Sequence, residues 1–197
     1  MIFLNQSPDY QRDSLNAEID IELWRWKFKG GIPLKQILTR SEHCLGCKSC
    51  ELACAVAHST SKTLFEAINE PNPPQKRVFV ESSGGLNFPL QCRQCLDAPC
   101  VHACMSGAMQ FDLTTGLIQV DELKCVGCMM CVMVCPFGVI AEVSSTHRVA
   151  KCDRCQDLNY NPACVVACPT KALEFVEVQT FAHSGRQTYV AQMKGDN

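Results

Sequence analysis

Sixteen cysteines in regular spacing are the residues of this chain best suited to chemistry. The clearest run extends from Cys125 to Pro136 and reads C-x2-C-x2-C-x3-C-P, the spacing with which thiolates hold a [4Fe–4S] cluster. Three thiolates two residues apart can surround one face of the cubane, while the helical turn beyond carries the fourth away. Gly127 lies where a side chain would crowd the inorganic sulfur, because only glycine lets the backbone approach so closely.

The same arrangement recurs, and four sets of four use all 16 cysteines. The first set repeats the spacing 81 residues earlier, the second has four residues in its second gap, and the fourth has eight and is followed by Pro169. The sets are Cys44, Cys47, Cys50 and Cys54; Cys92, Cys95, Cys100 and Cys104; Cys125, Cys128, Cys131 and Cys135; and Cys152, Cys155, Cys164 and Cys168. They predict four [4Fe–4S] clusters in an α+β chain, a duplicated bacterial 2x[4Fe-4S] ferredoxin-like fold with hairpin insertions.

In such runs the fourth cysteine binds the neighbouring cluster, so the ligand sets should cross between paired motifs. The second and third motifs should pair, because only 20 residues lie between Cys104 and Cys125. The first and fourth motifs then pair around them. The predicted sets are Cys92, Cys95, Cys100 and Cys135; Cys125, Cys128, Cys131 and Cys104; Cys44, Cys47, Cys50 and Cys168; and Cys152, Cys155, Cys164 and Cys54.

Zinc and disulfides are the competing interpretations of such cysteines. A structural zinc ion takes four ligands, usually as two pairs, and makes poor use of three thiolates within seven residues. Disulfides need two Cβ vectors that face each other at a fixed distance, which C-x2-C-x2-C spacing does not suit. The spacing therefore favours iron–sulfur clusters, and brown colour with acid-labile sulfide would confirm them.

The formal net charge of −2 counts every cysteine as neutral. Sixteen thiolates contribute −16 and four 2+ cubane cores contribute +8, so the loaded protein would carry −10. This charge argues against nucleic acid as a partner, because phosphate binding requires a basic face. Since many interior positions are ligands, we also expect that the chain does not fold without its metal.

The sequence has no feature typical of an exported or membrane-spanning protein. Residues 1–9 contain neither the basic nor the apolar region of a signal peptide, and no twin-arginine pair. No apolar run approaches about 18 residues, the length that a membrane-spanning helix requires. We therefore expect a reducing compartment, the cytoplasm, in which thiols stay available for metal.

Residues 1–42 precede the first cysteine set and form a predicted N-terminal arm. Residues 19–23 and 24–29 both alternate apolar with polar side chains, but out of phase by one residue, which indicates a bulged strand or an irregular arm more than a helix. Both tryptophans, Trp24 and Trp26, lie here. The arm either folds over its own cluster domain or docks a partner subunit, since large aromatic side chains often anchor interfaces.

The cysteine sets also divide the rest of the chain. Residues 43–178 form a predicted four-cluster domain. Within it, residues 92–136 are an inner two-cluster module, and residues 43–57 with 151–178 are an outer one. Each motif is expected to be a loop that leads into a helical turn and then into a strand or hairpin.

Turn residues between apolar runs place the strands. Hairpins are predicted over residues 77–88, 111–120 and 139–151, and a closing strand over 172–178. The remaining residues, 179–197, form a polar C-terminal tail with one possible strand near Thr188 to Ala191.

Other residues next to ligands have less specific roles. Four cations flank cysteines: Lys48, Lys124, Lys151 and Arg154. A nearby cation raises the reduction potential of a cluster, but a charged, solvent-exposed loop face is the commoner explanation for such residues.

The methionines and histidines near the motifs lead to two further expectations. Met129, Met130 and Met133 are expected to pack around the cube and keep water out. His43 and His102 adjoin ligands, but we do not expect them to bind iron because every set already has four thiolates.

These motifs resemble the four-cluster ferredoxin-type electron-transfer subunits of anaerobic redox enzymes. That group includes the small partners of carbon monoxide dehydrogenase, dimethyl sulfoxide reductase, formate dehydrogenases, hydrogenases and tungsten enzymes. The resemblance rests on residues 44–54 with His58, 92–100, 125–138, and 151–155 with 164–170. One departure is Met105, where the family usually has proline after the fourth cysteine of the second motif.

The resemblance implies a non-catalytic electron-transfer subunit with four [4Fe–4S] clusters. It would conduct electrons between the large catalytic subunit of an anaerobic oxidoreductase, of tungsten- or molybdenum-pterin, carbon monoxide dehydrogenase or hydrogenase type, and a second redox protein or ferredoxin. The alternatives are a freely diffusing polycluster ferredoxin and an iron–sulfur redox sensor. An enzyme in its own right is the least favoured, because every cysteine is assigned to a cluster and no substrate site is apparent.

Overall fold

The computed structural model describes residues 35–193 of the chain. Within that range, eight short strands form four separate two-stranded antiparallel sheets, and short helices lie between them. The fold is therefore of mixed α+β type, as predicted. The bulged strand predicted over residues 19–29, with both tryptophans, lies outside the described residues.

The secondary-structure elements alternate along the chain. The strands are β1 (Lys35–Thr39), β2 (Val78–Ser83), β3 (Leu86–Gln91), β4 (Met109–Asp112), β5 (Leu117–Val120), β6 (Ala141–Val143), β7 (Arg148–Ala150) and β8 (Leu173–Glu177). The helices are α1 (Ser49–Ala57), α2 (Leu64–Ile68), α3 (Pro99–His102), α4 (Met130–Val134), α5 (Ala163–Val166) and α6 (Val178–Met193), with 3₁₀ turns at Ser41–His43 and Gln156–Leu158.

Three of the sheets are hairpins of consecutive strands, β2 with β3, β4 with β5, and β6 with β7. All three lie where turn residues predicted them. The first turns through Gly84 and Gly85, whose φ angles of 58° and 84° are the positive values that a tight hairpin turn needs at both central positions.

The fourth sheet joins the two ends of the described chain. β1 pairs antiparallel with β8, from Lys35 opposite Glu177 to Thr39 opposite Leu173. The Arg40 N–H then donates to the Ala172 carbonyl at 2.8 Å. The segment predicted as a separate arm, residues 1–42, therefore contributes its described strand to the sheet that closes the cluster-bearing part.

Two small hydrophobic cores hold these elements together, and cysteines belong to both. One core packs Ile37, Val80 and Leu173 with cysteines of the first and fourth motifs. The other packs Ile118 and Ile140 with cysteines of the second and third motifs. Because thiols occupy so many interior positions, little ordinary apolar core remains to stabilise the fold.

The C-terminal residues correct one expectation. The strand predicted near Thr188 to Ala191 is instead part of the helix α6, which has no buried residue. The Thr188 hydroxyl donates to the Ser184 carbonyl at 3.1 Å, one helical turn earlier. The Thr188 hydroxyl thus has its hydrogen-bond partner within the helix and not across a sheet.

Candidate iron–sulfur centres

The loops of the first and third motifs have the same backbone course. Gly46 and Gly127 occupy equivalent positions with φ angles of 69° and 70°, and Lys48 and Met129 are both left-handed at 60° and 59°. Each loop leads directly into a helix, α1 or α4, that carries the third cysteine of its motif. The positive φ angles let the loop curl, so that the three thiols of each motif line one concave side.

Both glycines are also required by close neighbours. A Cβ on Gly127 would overlap the carbonyl oxygen of His147, in the turn between β6 and β7. A Cβ on Gly46 would lie 2.9 Å from side-chain atoms of Asn87, on β3. Each cysteine loop is therefore seated against a hairpin, which fixes the loop relative to the sheet behind it.

Two cavities lie inside these loops. One, of about 330 Å³ and partly open to solvent, is lined by Cys104, Cys125, Cys128 and Cys131. The other, of about 300 Å³, is lined by Cys44, Cys47, Cys50 and Cys168. In each cavity three cysteines of one motif meet the fourth cysteine of another, which is the grouping that the crossed spacing rule assigns to one cluster. The bonds to iron themselves stay a prediction.

The other two groups lie deeper. Burial raises the pKa of Cys54 to about 12, and the neighbouring thiolates of Cys152 and Cys155 add to the increase. Burial likewise raises the pKa of Cys164, with Cys152, Cys54 and Cys155 again adding to it. The first motif's fourth cysteine is thus surrounded by the fourth motif, and all four of these thiols are buried.

The remaining group is assembled in the same manner. Burial raises the pKa of Cys95, and the thiolates of Cys92 and Cys135 raise it further. Burial also raises the pKa of Cys100 to about 11, again with contributions from Cys92 and Cys135. Cys135 therefore lies with the second motif and not with the first three cysteines of its own motif.

Backbone N–H groups point at several of the sulfur atoms. The Met109 N–H donates to Cys104 Sγ at 3.3 Å, and the Ala172 N–H donates to Cys168 Sγ at 3.2 Å. Burial acts to raise the pKa of Cys104, but this bond, with others nearby, outweighs it and lowers the pKa; the same balance holds for Cys168. N–H donors of this kind stabilise thiolates, the form in which cysteine binds metal.

The donor sets fit [4Fe–4S] clusters. Each group brings four thiols together, and for two of the groups these thiols line a cavity. Several buried thiols have raised pKa values without metal, so loading would release their protons and make the binding free energy part of the folding free energy.

The interior between the second and fourth motifs contains three buried polar side chains, Gln94, Lys151 and Arg154, which together form a polar seam. Gln94 donates from Nε2 to the Cys152 carbonyl at 2.7 Å, and its Oε1 accepts the Ile118 N–H at 2.8 Å. Lys151 and Arg154 are buried beside it, with 3% and 4% of their surfaces exposed. The expectation of an exposed charged loop face is therefore wrong for these two cations, while Lys48 and Lys124 are exposed.

The methionines of the third motif divide between two environments. Met129 lines the cavity and packs against the core, as expected. Met130 and Met133 face outward, and Met133 is 80% exposed. They point away from the cavity because α4 turns Cys131 inward, so the prediction that they exclude water is wrong. The two histidines next to ligands, His43 and His102, are exposed, and His102 contacts Asp97 at 3.0 Å.

Comparison with known proteins also indicates iron–sulfur clusters. The family described as the 4Fe-4S dicluster domain matches residues 85–178. Over 167 residues the chain is 44% identical to an iron-sulfur protein of Rhodospirillum rubrum, covering 76% of this chain and 87% of the relative. The chain belongs to this family of ferredoxin-type iron–sulfur proteins.

Two further relatives are named for electron transfer or for an oxidoreductase. The chain is 38% identical to the putative electron transport protein YsaA of Escherichia coli, over 73% of this chain and 90% of the relative. It is 36% identical to the polyferredoxin-like subunit of an aliphatic sulfonate oxidoreductase of Pyrococcus furiosus, over 73% and 77%. Electron transport through iron–sulfur centres is therefore the general function of the family.

No helix between residues 35 and 193 combines the length and the hydropathy that crossing a bilayer requires.

Proposed function

We propose that the chain holds four [4Fe–4S] clusters and conducts electrons between the catalytic subunit of an anaerobic oxidoreductase and a second redox protein, without catalysing a reaction itself. The proposed ligands are the four crossed sets of cysteines described above. When bound, each cluster supplies a site that accepts and releases one electron. The cysteines, the loops and the surrounding surface determine where these sites lie.

The order of the four thiol groups carries this proposal. Cys50 and Cys164 share one core and belong to the groups of the first and fourth motifs, so these groups are neighbours. Cys92 packs against the same core as Cys152, which joins the fourth motif's group to that of the second motif. The groups of the second and third motifs share the other core. The thiol groups thus follow one another in the order of the first, fourth, second and third motifs, and this order supports a single path for electrons.

The two ends of this succession reach the surface. Cys47 and Cys128, at equivalent positions of the first and third motifs, are exposed, whereas the group that contains Cys152 is buried. Beside them, Leu45 and Val126 are 69% and 73% exposed. An exposed thiol at each end of a buried path favours a protein that docks two partners over one that releases its electrons at a single site.

The repeated loop geometry supports the duplicated ferredoxin-like architecture. Gln94 and Arg154 lie at the same position of the C-x2-C pairs that begin the second and fourth motifs, and both are left-handed, with φ angles of 52° and 59°. Together with the matching first and third loops, this favours an inner module over residues 92–136 and an outer one built from 43–57 and 151–178. We further propose that the protein works in the cytoplasm.

Metal analysis of the anaerobically purified native complex tests this function. We expect about 16 irons and as many acid-labile sulfides per chain, together with molybdenum, tungsten or nickel from a co-purifying catalytic subunit. Sixteen irons in a monomer without any other metal would instead show a freely diffusing ferredoxin and contradict the role as a subunit of a complex. Zinc in a colourless protein would overturn the proposal entirely.

A further inference from the structure

The structural feature that extends the proposed function is the polar seam between the second and fourth motifs. Its frame is Gln94, which is 5% exposed and bridges the Cys152 carbonyl and the Ile118 N–H. Gln94 lies between Cys92 and Cys95, so its side chain ties one cysteine loop directly to the backbone of the other. The seam thus lies at the middle step of the proposed path, where the inner and outer modules meet.

Lys151 places a positive charge in this seam. Its Nζ donates to the Ile118 carbonyl and to the Cys152 carbonyl, the latter at 3.0 Å. The charge acts on both sides of the seam. Burial raises the pKa of Cys100 in the second motif and of Cys152 in the fourth, and the charge of Lys151 opposes both increases in part.

Arg154 adds a second charge from the other side. Its guanidinium donates to Gln36 Oε1 at 2.6 Å, and its backbone N–H donates to Cys152 Sγ at 3.4 Å. Burial lowers the pKa of the guanidinium, but the thiolates of Cys152 and Cys92 oppose that effect, which places the cation near one cysteine of each group.

Buried cations need a compensating negative charge, because an isolated charge is costly to remove from water. Among residues 35–193, neither Lys151 nor Arg154 forms an ion pair with a carboxylate. The anionic groups on which they act include thiolates of the two cysteine sets, Cys100 and Cys152 for Lys151 and Cys92 and Cys152 for Arg154. Each set would carry a net negative charge with a bound 2+ core. The cations are therefore positioned for cluster charge and not for a protein carboxylate.

We propose, resting on the proposed function, that Lys151 and Arg154 are positioning residues that raise the reduction potentials of the two central clusters above the values that their burial alone would give. Reduction adds one electron to each cluster and changes its charge, thiolates included, from 2− to 3−. Burial disfavours the more negative state, and a cation within the seam stabilises it. The seam thereby keeps the deepest step of the path accessible to electrons.

The experiment is a potentiometric titration of the holoprotein with dithionite as reductant, followed by electron paramagnetic resonance. The variants are Lys151→Met, which keeps the length of the side chain without its charge, and Lys151→Arg, which keeps the charge. We expect two of the four midpoint potentials to fall in Lys151→Met, while the other two are unchanged and Lys151→Arg stays close to the wild type. Arg154→Gln should lower the same two midpoints.

Lys124→Met is the matched control. Lys124 directly precedes Cys125 as Lys151 directly precedes Cys152, but its side chain is 54% exposed and pairs with Asp121 at 3.3 Å. Its removal should leave all midpoints unchanged, because solvent screens its charge.

The outcomes separate the inference from the proposed function. Fewer than four reducible clusters in the wild type would contradict the proposed function, whatever the variants do. With four clusters present, unchanged midpoints in both Lys151→Met and Arg154→Gln would overturn the inference, as would equal shifts in Lys151→Met and Lys151→Arg. If Lys151→Met loses iron, the midpoints of Arg154→Gln and Arg154→Lys decide. A decrease in Arg154→Gln alone would support the inference, and equal midpoints in the two variants would overturn it.

Discussion

Glu51 Oε1 accepts the backbone N–H of Val80 at 2.6 Å, and both residues are buried. Glu51 lies on α1, the helix that carries Cys50 and Cys54, and Val80 is in the middle of β2. The other carboxylate oxygen accepts Lys76 Nζ at 2.5 Å. One side chain thus fastens the helix of the first motif to the β2–β3 hairpin behind it.

Replacing Glu51 by alanine should loosen this attachment and release the clusters of the outer module more readily. The Val80 N–H would be buried without a partner, which costs about 1–3 kcal/mol. The measurement is the thermal midpoint of cluster bleaching in the anaerobic holoprotein, followed by visible absorbance. Glu81→Ala on the same strand is the control, because Glu81 is exposed and its loss should change the midpoint little. Equal midpoints for both variants would contradict this role of Glu51.

The pH dependence of the Glu51 contact follows from its pKa. Burial acts to raise this pKa, but the bonds from Lys76 and Val80 outweigh it and hold the pKa below the ordinary 4.5. A carboxyl whose pKa is lower in the folded protein stabilises it above the unfolded pKa, and the contribution disappears as the pH falls through the folded value. The rate of cluster loss in Glu51→Gln should therefore exceed that of the wild type at pH 7, and the difference should narrow below about pH 4.5. A constant difference across that range would argue against the charged contact.

Gly127→Ala should remove the cluster that we propose for Cys125, Cys128 and Cys131. A Cβ there would overlap the carbonyl oxygen of His147, so the loop could not stay seated on the β6–β7 turn. Gly84→Ala is the matched control, because Gly84 also has a positive φ, of 58°, but its Cβ would meet nothing within 4 Å.

The two glycine variants separate steric overlap from backbone strain. Strain alone should destabilise Gly84→Ala by about 1–2 kcal/mol without loss of iron. Iron analysis of the anaerobically purified variants is the measurement, with about four irons fewer expected in Gly127→Ala only. Full iron content in Gly127→Ala would show that the loop can move away from His147.

Local chemistry made the hairpins and the cysteine loops predictable. Gly84-Gly85 between two alternating apolar segments can hardly form anything but a tight turn, and the spacing of Cys125 to Cys135 dictates a curled loop before a helical turn. The long-range contacts left no local trace in the sequence. Nothing in the residues around Lys151 indicates that β5 supplies it with a carbonyl, and nothing around Glu51 indicates that Val80 is its partner.

The C-terminal end shows how local preference can mislead. Thr188, Tyr189 and Val190 are residues that favour strands, but no partner strand lies opposite them in the described part of the chain, and a strand without a partner leaves its backbone groups unpaired. The helix α6 pairs those groups within itself. Strand pairing is decided by what lies across the sheet, and a single segment does not contain that information.

Removing residues 179–197 should leave all clusters in place. The helix α6 buries none of its residues, and no cysteine lies beyond Cys168. Iron content and the resonance spectrum of the shortened chain should match those of the full chain, whereas a chain that ends before β8 should lose iron because β1 would have no partner. Loss of iron in the shorter deletion would assign α6 a structural role that its exposure does not indicate.

Cys135→Ala tests the crossing of ligands between motifs. If Cys135 belongs with Cys92, Cys95 and Cys100, the variant should damage that cluster and leave the one that includes Cys104 with its four thiolates. The proximity of Cys135 to Cys95 and Cys100 supports this outcome, since its thiolate acts on the pKa of both. The two proposed clusters differ in exposure, because one has the exposed Cys128 among its ligands and the other has no exposed ligand. A soluble chelator should therefore reach them at different rates.

The decisive comparison is Cys135→Ala with Cys128→Ala. In Cys135→Ala the readily chelated cluster should survive, and in Cys128→Ala it should be the one that is lost. Iron stoichiometry after a short chelator pulse, with the resonance signal of the surviving clusters, distinguishes the two. The same cluster lost in both variants would mean that each motif keeps its own fourth cysteine, and the path from one module to the next would have to be redrawn.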